Sequence, residues 1–242
     1  FITDKHRSLT TNKSLGRSLA FIAGAINAGG FMAVEQYTSH MTGLISLAAD
    51  NIASYKFMSA LLMLLYIFCF ISGAATTTLL VIWGKINHNH SQFALPLVLE
   101  AILLIIFGFG NVHNPIYIIM LLCFLMGLQN AVITKITNTS IRTTHITGMS
   151  TDIGIEIGRL LFPLISKKNP PLEFSKERII LHLSIIALFF LGGIIGAFGF
   201  NFFSYSFVVP LALYLLFLSI HPIWQDVVIS KYIRLRSHRY SK

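Results

Sequence analysis

Two copies of a short histidine element carry the residue types most suited to binding a polar solute. TSHMTG at 38–43 recurs as TTHITG at 143–148, so the two hexapeptides agree at four of six positions. Histidine can donate hydrogen bonds or take a proton, and glycine permits close backbone approach. The candidate solute-binding residues in the two elements are therefore His40, Thr42, Gly43, His145, Thr147 and Gly148.

Each element precedes a short apolar stretch that the pattern predicts to be a helix of about three turns, over 43–53 and 148–158. Thr42 and Thr147 are predicted either to cap these helices or to face the solute. At about 1.5 Å per residue, such a helix crosses only half of a bilayer. Its first N–H groups and the positive end of its dipole would then lie at mid-depth, a suitable site for an anion or a carboxylate.

An asparagine lies in the apolar segment before each element. GAINA at 24–28 recurs as GLQNA at 127–131, which places Asn27 and Asn130 at matching positions. We expect both side chains to line the same cavity as the histidines. The alternative is that they form interhelical hydrogen bonds, worth about 1 kcal/mol in membrane proteins.

Glu100 is a separate candidate because it lies in the middle of the apolar segment FALPLVLEAILLIIFGFG. A charged side chain at the centre of a membrane helix costs about 3 kcal/mol and usually marks a functional site. We expect Glu100 to carry a proton. The alternative is a neutral side chain hydrogen-bonded to a neighbouring helix.

The composition determines what kind of protein must position these residues. Of 242 residues, 55% are hydrophobic and 11% charged, and the mean hydropathy is +0.73. A soluble domain carries about a quarter charged residues, so a water-soluble protein is excluded and an integral membrane protein is predicted. Six segments are long and apolar enough to cross as α-helices, at about 18–34, 57–83, 93–110, 115–134, 179–200 and 206–224.

The basic residues predict the topology. With six spans and both termini on the cytoplasmic side, 17 of the 18 Lys and Arg residues fall on that side and only Lys56 on the other. This is the asymmetry that the positive-inside rule predicts for a multi-pass membrane protein. An eight-span alternative, in which 41–54 and 147–165 also cross, would move Lys85 and weaken the contrast.

The matching motifs indicate an internal duplication, with repeat one at about 17–110 and repeat two at about 115–224. FISG at 70–73 has a looser counterpart in FLGG at 190–193. Three spans per repeat would invert the second repeat relative to the first, as in many transporters. The predicted fold is a single all-α membrane domain over 1–242, with six transmembrane helices as a 3+3 inverted repeat and two half-helices.

Several other classes are not supported by the sequence. There is no HExxH, G-x-S-x-G or Walker-type loop, so we predict no enzyme and no cofactor. The two histidines lack nearby cysteines or a carboxylate pair, so no metal site is predicted. The basic tail at 231–242 is expected to contact lipid headgroups rather than nucleic acid. Small-residue faces at 72–75 and 191–199 permit close helix packing, within the bundle or in a homodimer.

The stretch AGAINAGGFMAVEQYTSHMTGLISLAADNIA at 23–53 resembles the signature of the YoaK-like family of bacterial membrane proteins, a domain of unknown function. The similarity extends through most of the chain, including LVLEAILL at 97–104. Leu44 stands where the family pattern leads us to expect asparagine. The resemblance implies a six-span inner-membrane protein of unsettled activity and gives no substrate.

These observations predict a secondary transporter for a small polar or anionic solute, proton-coupled through Glu100. A passive channel with crossed half-helices and a non-transport membrane scaffold are the alternatives.

Overall fold

The computed structural model describes residues 9–87, 93–110, 114–136, 144–166 and 174–220. Within these ranges all regular structure is helical. The helices are α1 (Leu9–Val34), α2 (Met41–Ala53), α3 (Phe57–Ile86), α4 (Ala94–Phe109), α5 (Pro115–Ile136), α6 (Ile146–Ile165), α7 (Lys176–Phe203) and α8 (208–220), with a 3₁₀ turn at Ser204–Phe207. The basic C-terminal tail, the start of the chain and the last residues of the segment predicted at 206–224 lie outside the described residues.

Four helical stretches are long and apolar enough to cross a membrane, and α4 is a shorter apolar helix. The prediction of an α-helical membrane protein is therefore confirmed. The four stretches are Lys13–Val34, Phe57–Ile86, Pro115–Lys135 and Lys176–Ile220. The last stretch contains both α7 and α8. The 3₁₀ turn separates these two helices, and Ser204 at its start has a φ of 48°.

The two short helices differ from their predicted bounds. Both begin two residues early, at Met41 and Ile146. α6 also continues past Gly158 to Ile165, so its 20 residues exceed the predicted three turns. A glycine ends a helix when it adopts a left-handed conformation, and no described glycine has a positive φ. α6 therefore continues through Gly158.

Backbone-to-backbone contacts at glycines hold the two largest helix pairs together, α1 with α7 and α3 with α5. At five glycines an added Cβ atom would overlap a carbonyl oxygen of the partner helix, so only glycine permits this approach. The glycine–carbonyl pairs are Gly24–Phe189, Gly192–Phe21 and Gly196–Ala25 between α1 and α7, and Gly127–Phe70 and Gly73–Phe124 between α3 and α5. In these contacts Gly192 is the counterpart of Gly73. The comparison of FISG with FLGG paired Gly73 with Gly193 instead, one residue later.

The register of the contacts shows that the helices of each pair run parallel. Gly73 of α3 lies against the carbonyl of Phe124, and one turn later the Thr77 hydroxyl donates to the Leu128 carbonyl at 2.8 Å. A four-residue step along α3 therefore matches a four-residue step in the same direction along α5. The α1–α7 pair repeats this register, with Gly192 and Gly196 against the carbonyls of Phe21 and Ala25.

Candidate functional site

The two matched asparagines hold the start of the two short helices. The Asn27 side-chain oxygen accepts hydrogen bonds from the Ser39 backbone N–H at 3.3 Å and the Ser39 hydroxyl at 2.9 Å. Asn130 repeats this contact with Thr144, accepting from its backbone N–H at 3.4 Å and its hydroxyl at 3.1 Å. The sequence analysis missed Ser39 and Thr144, although a hydroxyl residue precedes the histidine in both copies. Each asparagine thus fixes the residue before its histidine. We call this pair of hydrogen bonds the asparagine clamp.

The histidines, not the threonines, occupy the N-cap positions. His40 has φ −95° and ψ 68°, and His145 has φ −86° and ψ 53°. Their carbonyls accept the first helical hydrogen bonds, from Leu44 and Met149, each at 3.1 Å. The prediction that threonine would cap these helices is therefore wrong, because the clamp before each histidine starts the helix two residues earlier.

Thr42 and Thr147 instead lie in the first turn with exposed side chains. Their carbonyls accept hydroxyl hydrogen bonds from the next turn, from Ser46 at 3.1 Å and Thr151 at 3.0 Å. The threonine hydroxyls therefore remain available to a solute.

Each imidazole ring lies over the glycine three residues later. A Cβ atom on Gly43 would overlap the His40 ring at Cδ2, and one on Gly148 would overlap the His145 ring at Nδ1 and Cε1. The two glycines thus make room for the imidazole rings beside the first turn of each short helix, where the dipole is positive.

A cavity of about 870 Å³ brings both copies of the element together. Residues 39–42 from the first copy and three matched residues from the second, Thr144, His145 and Thr147, line it. Helices α3 and α5 complete the wall with Phe70, Ile71, Ala74, Ala75, Thr78, Gly127, Asn130, Ala131, Thr134 and Lys135. Five of the predicted site residues therefore lie in one cavity: His40, Thr42, Asn130, His145 and Thr147.

A second, smaller cavity of about 350 Å³ lies on the α1–α7 side. We call it the narrow cavity, and the cavity of about 870 Å³ the wide cavity. It shares four residues with the wide cavity, namely Ser39, His40, Thr144 and Thr147. Its other lining residues are Asn27, Tyr37, Ile146 and Phe189. Three of these four have counterparts that line the wide cavity: Asn27 matches Asn130, Ile146 matches Met41 and Phe189 matches Phe70. Tyr37 has no such counterpart among the lining residues. The narrow cavity is therefore the counterpart of the wide one.

Aromatic side chains distinguish the α1–α7 side from the α3–α5 side. Thr134 lines the wide cavity four residues after Asn130, whereas Phe31 stands four residues after Asn27. Phe31 stacks on Tyr37 with ring centroids 4.3 Å apart and an interplanar angle of 18°. Two rings thus stand on the α1–α7 side where the α3–α5 side has a threonine.

Glu100 lies apart from this site. Its side chain is fully buried in α4, its two oxygens have no hydrogen-bond partner, and it lines neither cavity. The neighbouring buried residues of α4 are apolar: Leu97, Ala101 and Leu104. In the described part of the chain Glu100 makes no side-chain hydrogen bond to a neighbouring helix, so that alternative prediction is wrong.

Leu44 stands where the family resemblance leads us to expect asparagine. Its side chain is fully buried in a small apolar cluster with Tyr66, Ile119 and Cys123. At this position in α2 the side chain therefore packs against α3 and α5 rather than facing the cavity.

A charged cluster attaches α6 to the start of α7. Glu156 accepts hydrogen bonds from the Ser175 backbone N–H at 2.9 Å, from Arg159 at 2.7 Å and from Arg178 at 3.0 Å. The Ser175 N–H and the two guanidinium groups hold the pKa of Glu156 below its ordinary value of 4.5. Arg159 stands three residues after Glu156 on the same helix, whereas the contacts with α7 depend on the tertiary fold.

The apolar helices define an α-helical membrane protein, and its candidate site is a cavity lined by both histidine elements. A family model described as a protein of unknown function (DUF1275) matches residues 15–220, and the chain belongs to this family. This confirms the expected membership of a family of unknown function. No curated protein and no solved structure matches the chain.

Proposed function

We propose that this protein is a secondary transporter for a small polar or anionic solute. The observation that carries the proposal is that both copies of the histidine element line one cavity of about 870 Å³. Cavities of this size bind small organic molecules. Paired elements that meet at a common site between repeats are typical of transporters.

We further propose six spans arranged as a 3+3 inverted repeat. Helices α1 and α3 are successive spans and must run in opposite directions if the 13-residue α2 does not cross the membrane. Because α7 runs parallel to α1, it runs opposite to α3, its own counterpart. This supports inversion of the second repeat. The charge asymmetry of the sequence favours cytoplasmic termini, and the resemblance to the YoaK-like family favours a bacterial inner membrane.

The paired cavities favour a carrier. In alternating access, matching cavities on opposite sides of a fixed site open in turn. Here the four shared residues stand between a wide cavity and its narrow counterpart. The arrangement suits a state open on the α3–α5 side, with the stack of Phe31 and Tyr37 restricting the α1–α7 side.

A passive channel is the second candidate. The observation that favours it is that the two cavities share Ser39, His40, Thr144 and Thr147, so movement of these few side chains would join them. A channel would not need alternation and would show flux that rises with the gradient without saturation.

We also propose that Glu100 couples transport to a proton, from a position outside both cavities. A carboxyl group buried without a partner among apolar residues is costly when charged. Glu100 would therefore gain and lose a proton as α4 changes its surroundings. The substitution Glu100→Gln would abolish pH-dependent uptake by a coupled carrier and leave a channel unaffected.

The test is solute uptake into proteoliposomes, measured over a range of solute concentrations against protein-free liposomes. Saturable uptake that falls at least tenfold in His40→Ala supports the transporter. Ser46→Ala is the matched control, because Ser46 lies in α2 one turn after Thr42 and lines neither cavity. Absence of flux for every solute in a broad screen would refute transport, and flux without saturation would favour the channel.

A further inference from the structure

From the charges and walls of the wide cavity, we infer that the solute is an organic carboxylate with an apolar body and that Lys135 determines this specificity. The inference rests on the proposed transport function and names the class of solute. Three features of the described residues carry it: a lysine outside their ion pairs, the absence of an acid among the lining residues, and a wall with both polar and apolar side chains.

Lys135 is the cationic residue of the site. It stands in the last turn of α5 and lines the wide cavity, five residues after the clamp residue Asn130. In the described part of the chain the ion pairs use other cations: Lys13, Arg159 and Arg178. A lysine beside a cavity without a protein counterion is available to a bound anion.

Acidic side chains do not oppose this charge in the described wall of the cavity. The described residues that line the wide cavity include no Asp and no Glu. The positive dipole ends of α2 and α6 lie at the same cavity through their first-turn residues, Thr42 and Thr147. The acidic residues of α6, Asp152 and Glu156, lie further along the helix, beside the start of α7. The electrostatic balance therefore favours an anion.

The cavity is much larger than an inorganic ion requires. A volume of about 870 Å³ falls in the range of sites for organic molecules. Part of its wall is apolar, formed by Phe70, Ile71, Ala74, Ala75 and Ala131. Hydroxyl, amide and imidazole groups line the same cavity. A carboxylate joined to an apolar body satisfies both surfaces.

The charge belongs to one half of the duplication only. Met32 occupies the position that matches Lys135, five residues after Asn27. Among the described lining residues, the wide cavity therefore has a lysine and the narrow cavity has neither lysine nor arginine, and we expect the carboxylate to bind on the α3–α5 side.

The experiment compares carboxylates with neutral amides of the same shape. Binding of acetate, butyrate and benzoate, and of acetamide, butyramide and benzamide, is measured by thermal stabilisation of the full chain in lipid nanodiscs. We expect butyrate and benzoate to stabilise the protein and their amides to bind at least tenfold more weakly. Lys135→Gln should weaken carboxylate binding at least tenfold, and Lys135→Arg should restore most of it.

Lys85→Gln is the matched control, because Lys85 stands in the last turn of the neighbouring α3 but lines neither cavity. It should bind carboxylates like the wild type. Equal binding of acids and amides, no binding of any acid, or an unchanged affinity in Lys135→Gln would overturn the inference.

Uptake of the same compounds separates this inference from the transport proposal. Uptake of neutral solutes with no carboxylate preference would reject the inference and leave transport standing. Selective carboxylate binding that depends on Lys135, without any uptake, would support the inference and reject transport.

Discussion

Gly192 of α7 lies directly against the backbone carbonyl of Phe21 in α1, and Gly73 of α3 makes the same contact with Phe124 in α5. The two contacts join different pairs of helices, yet they use the same residue types. The two halves of the chain thus contribute matching glycine contacts to the packing. The glycine contacts are the features most open to a stability test.

Gly192→Ala is expected to destabilise the protein by about 1–3 kcal/mol, because its new methyl group would overlap the Phe21 carbonyl and force α1 and α7 apart. The adjacent Gly193→Ala is the control, since its Cβ would stand 3.6 Å from the nearest atom, an ordinary contact. Thermal unfolding in detergent measures both. Equal midpoints for the two variants would contradict the packing described here.

Gly148→Ala is expected to displace the His145 ring and reduce uptake about tenfold while the protein remains folded. An added methyl group would overlap the imidazole, which would have to leave the first turn of α6. Gly154→Ala tests the same substitution on the same helix, where nothing lies within 4 Å of the new atom.

Alanine at Gly154 should leave uptake unchanged and raise stability by up to about 1 kcal/mol, because glycine weakens a helix interior. Uptake into proteoliposomes and the unfolding midpoint are measured for both variants. If both reduced uptake equally, the position of the histidine ring would not be the cause.

Tyr37→Ala is expected to widen the narrow cavity by removing one ring of its stack with Phe31. Such a stack is worth about 1 kcal/mol, so access should rise roughly fivefold. The measurement is the labelling rate of Ile146→Cys, a position that lines only the narrow cavity, with Cys69 and Cys123 replaced by alanine.

Tyr55→Ala is the control, because this exposed tyrosine makes an edge contact with Phe57 and lines neither cavity. It should leave the labelling rate unchanged. A rate unaffected by Tyr37→Ala would show that the stack does not restrict the narrow cavity.

The cluster around Glu156 predicts a pH-dependent stability. Because the folded protein lowers the pKa of Glu156, its contribution is fully present above the ordinary value of 4.5 and is lost as the pH falls through the lower folded value. Relative to the wild type, Glu156→Gln should lower the unfolding midpoint at pH 7. The difference should shrink as the pH falls below 4.5.

Glu177→Gln provides the comparison, since Glu177 is 86% exposed and forms a 3.4 Å surface pair with Lys13. Such surface pairs contribute at most about 1 kcal/mol, so its effect should be small at every pH. A Glu156→Gln difference that did not change between pH 7 and acid conditions would contradict the lowered pKa.

The sequence was sufficient to predict the helices and the nature of the protein. Apolar runs of about 20 residues are a local property, and helices occupy all six segments predicted to cross, as far as these are described. The duplication was likewise visible in the two histidine elements. Helix ends were predicted less well, because the Asn27 and Asn130 clamps start α2 and α6 earlier than the threonines suggested.

The partners of individual side chains depended on the tertiary structure. Lys135 looked like a topology signal in the sequence but lines the wide cavity, whereas Glu100 looked like a site residue and lies outside both cavities. Hydropathy and spacing report how each segment meets its surroundings. Which faces meet each other is decided by packing between segments far apart in the chain, such as the glycine contacts of α1 with α7.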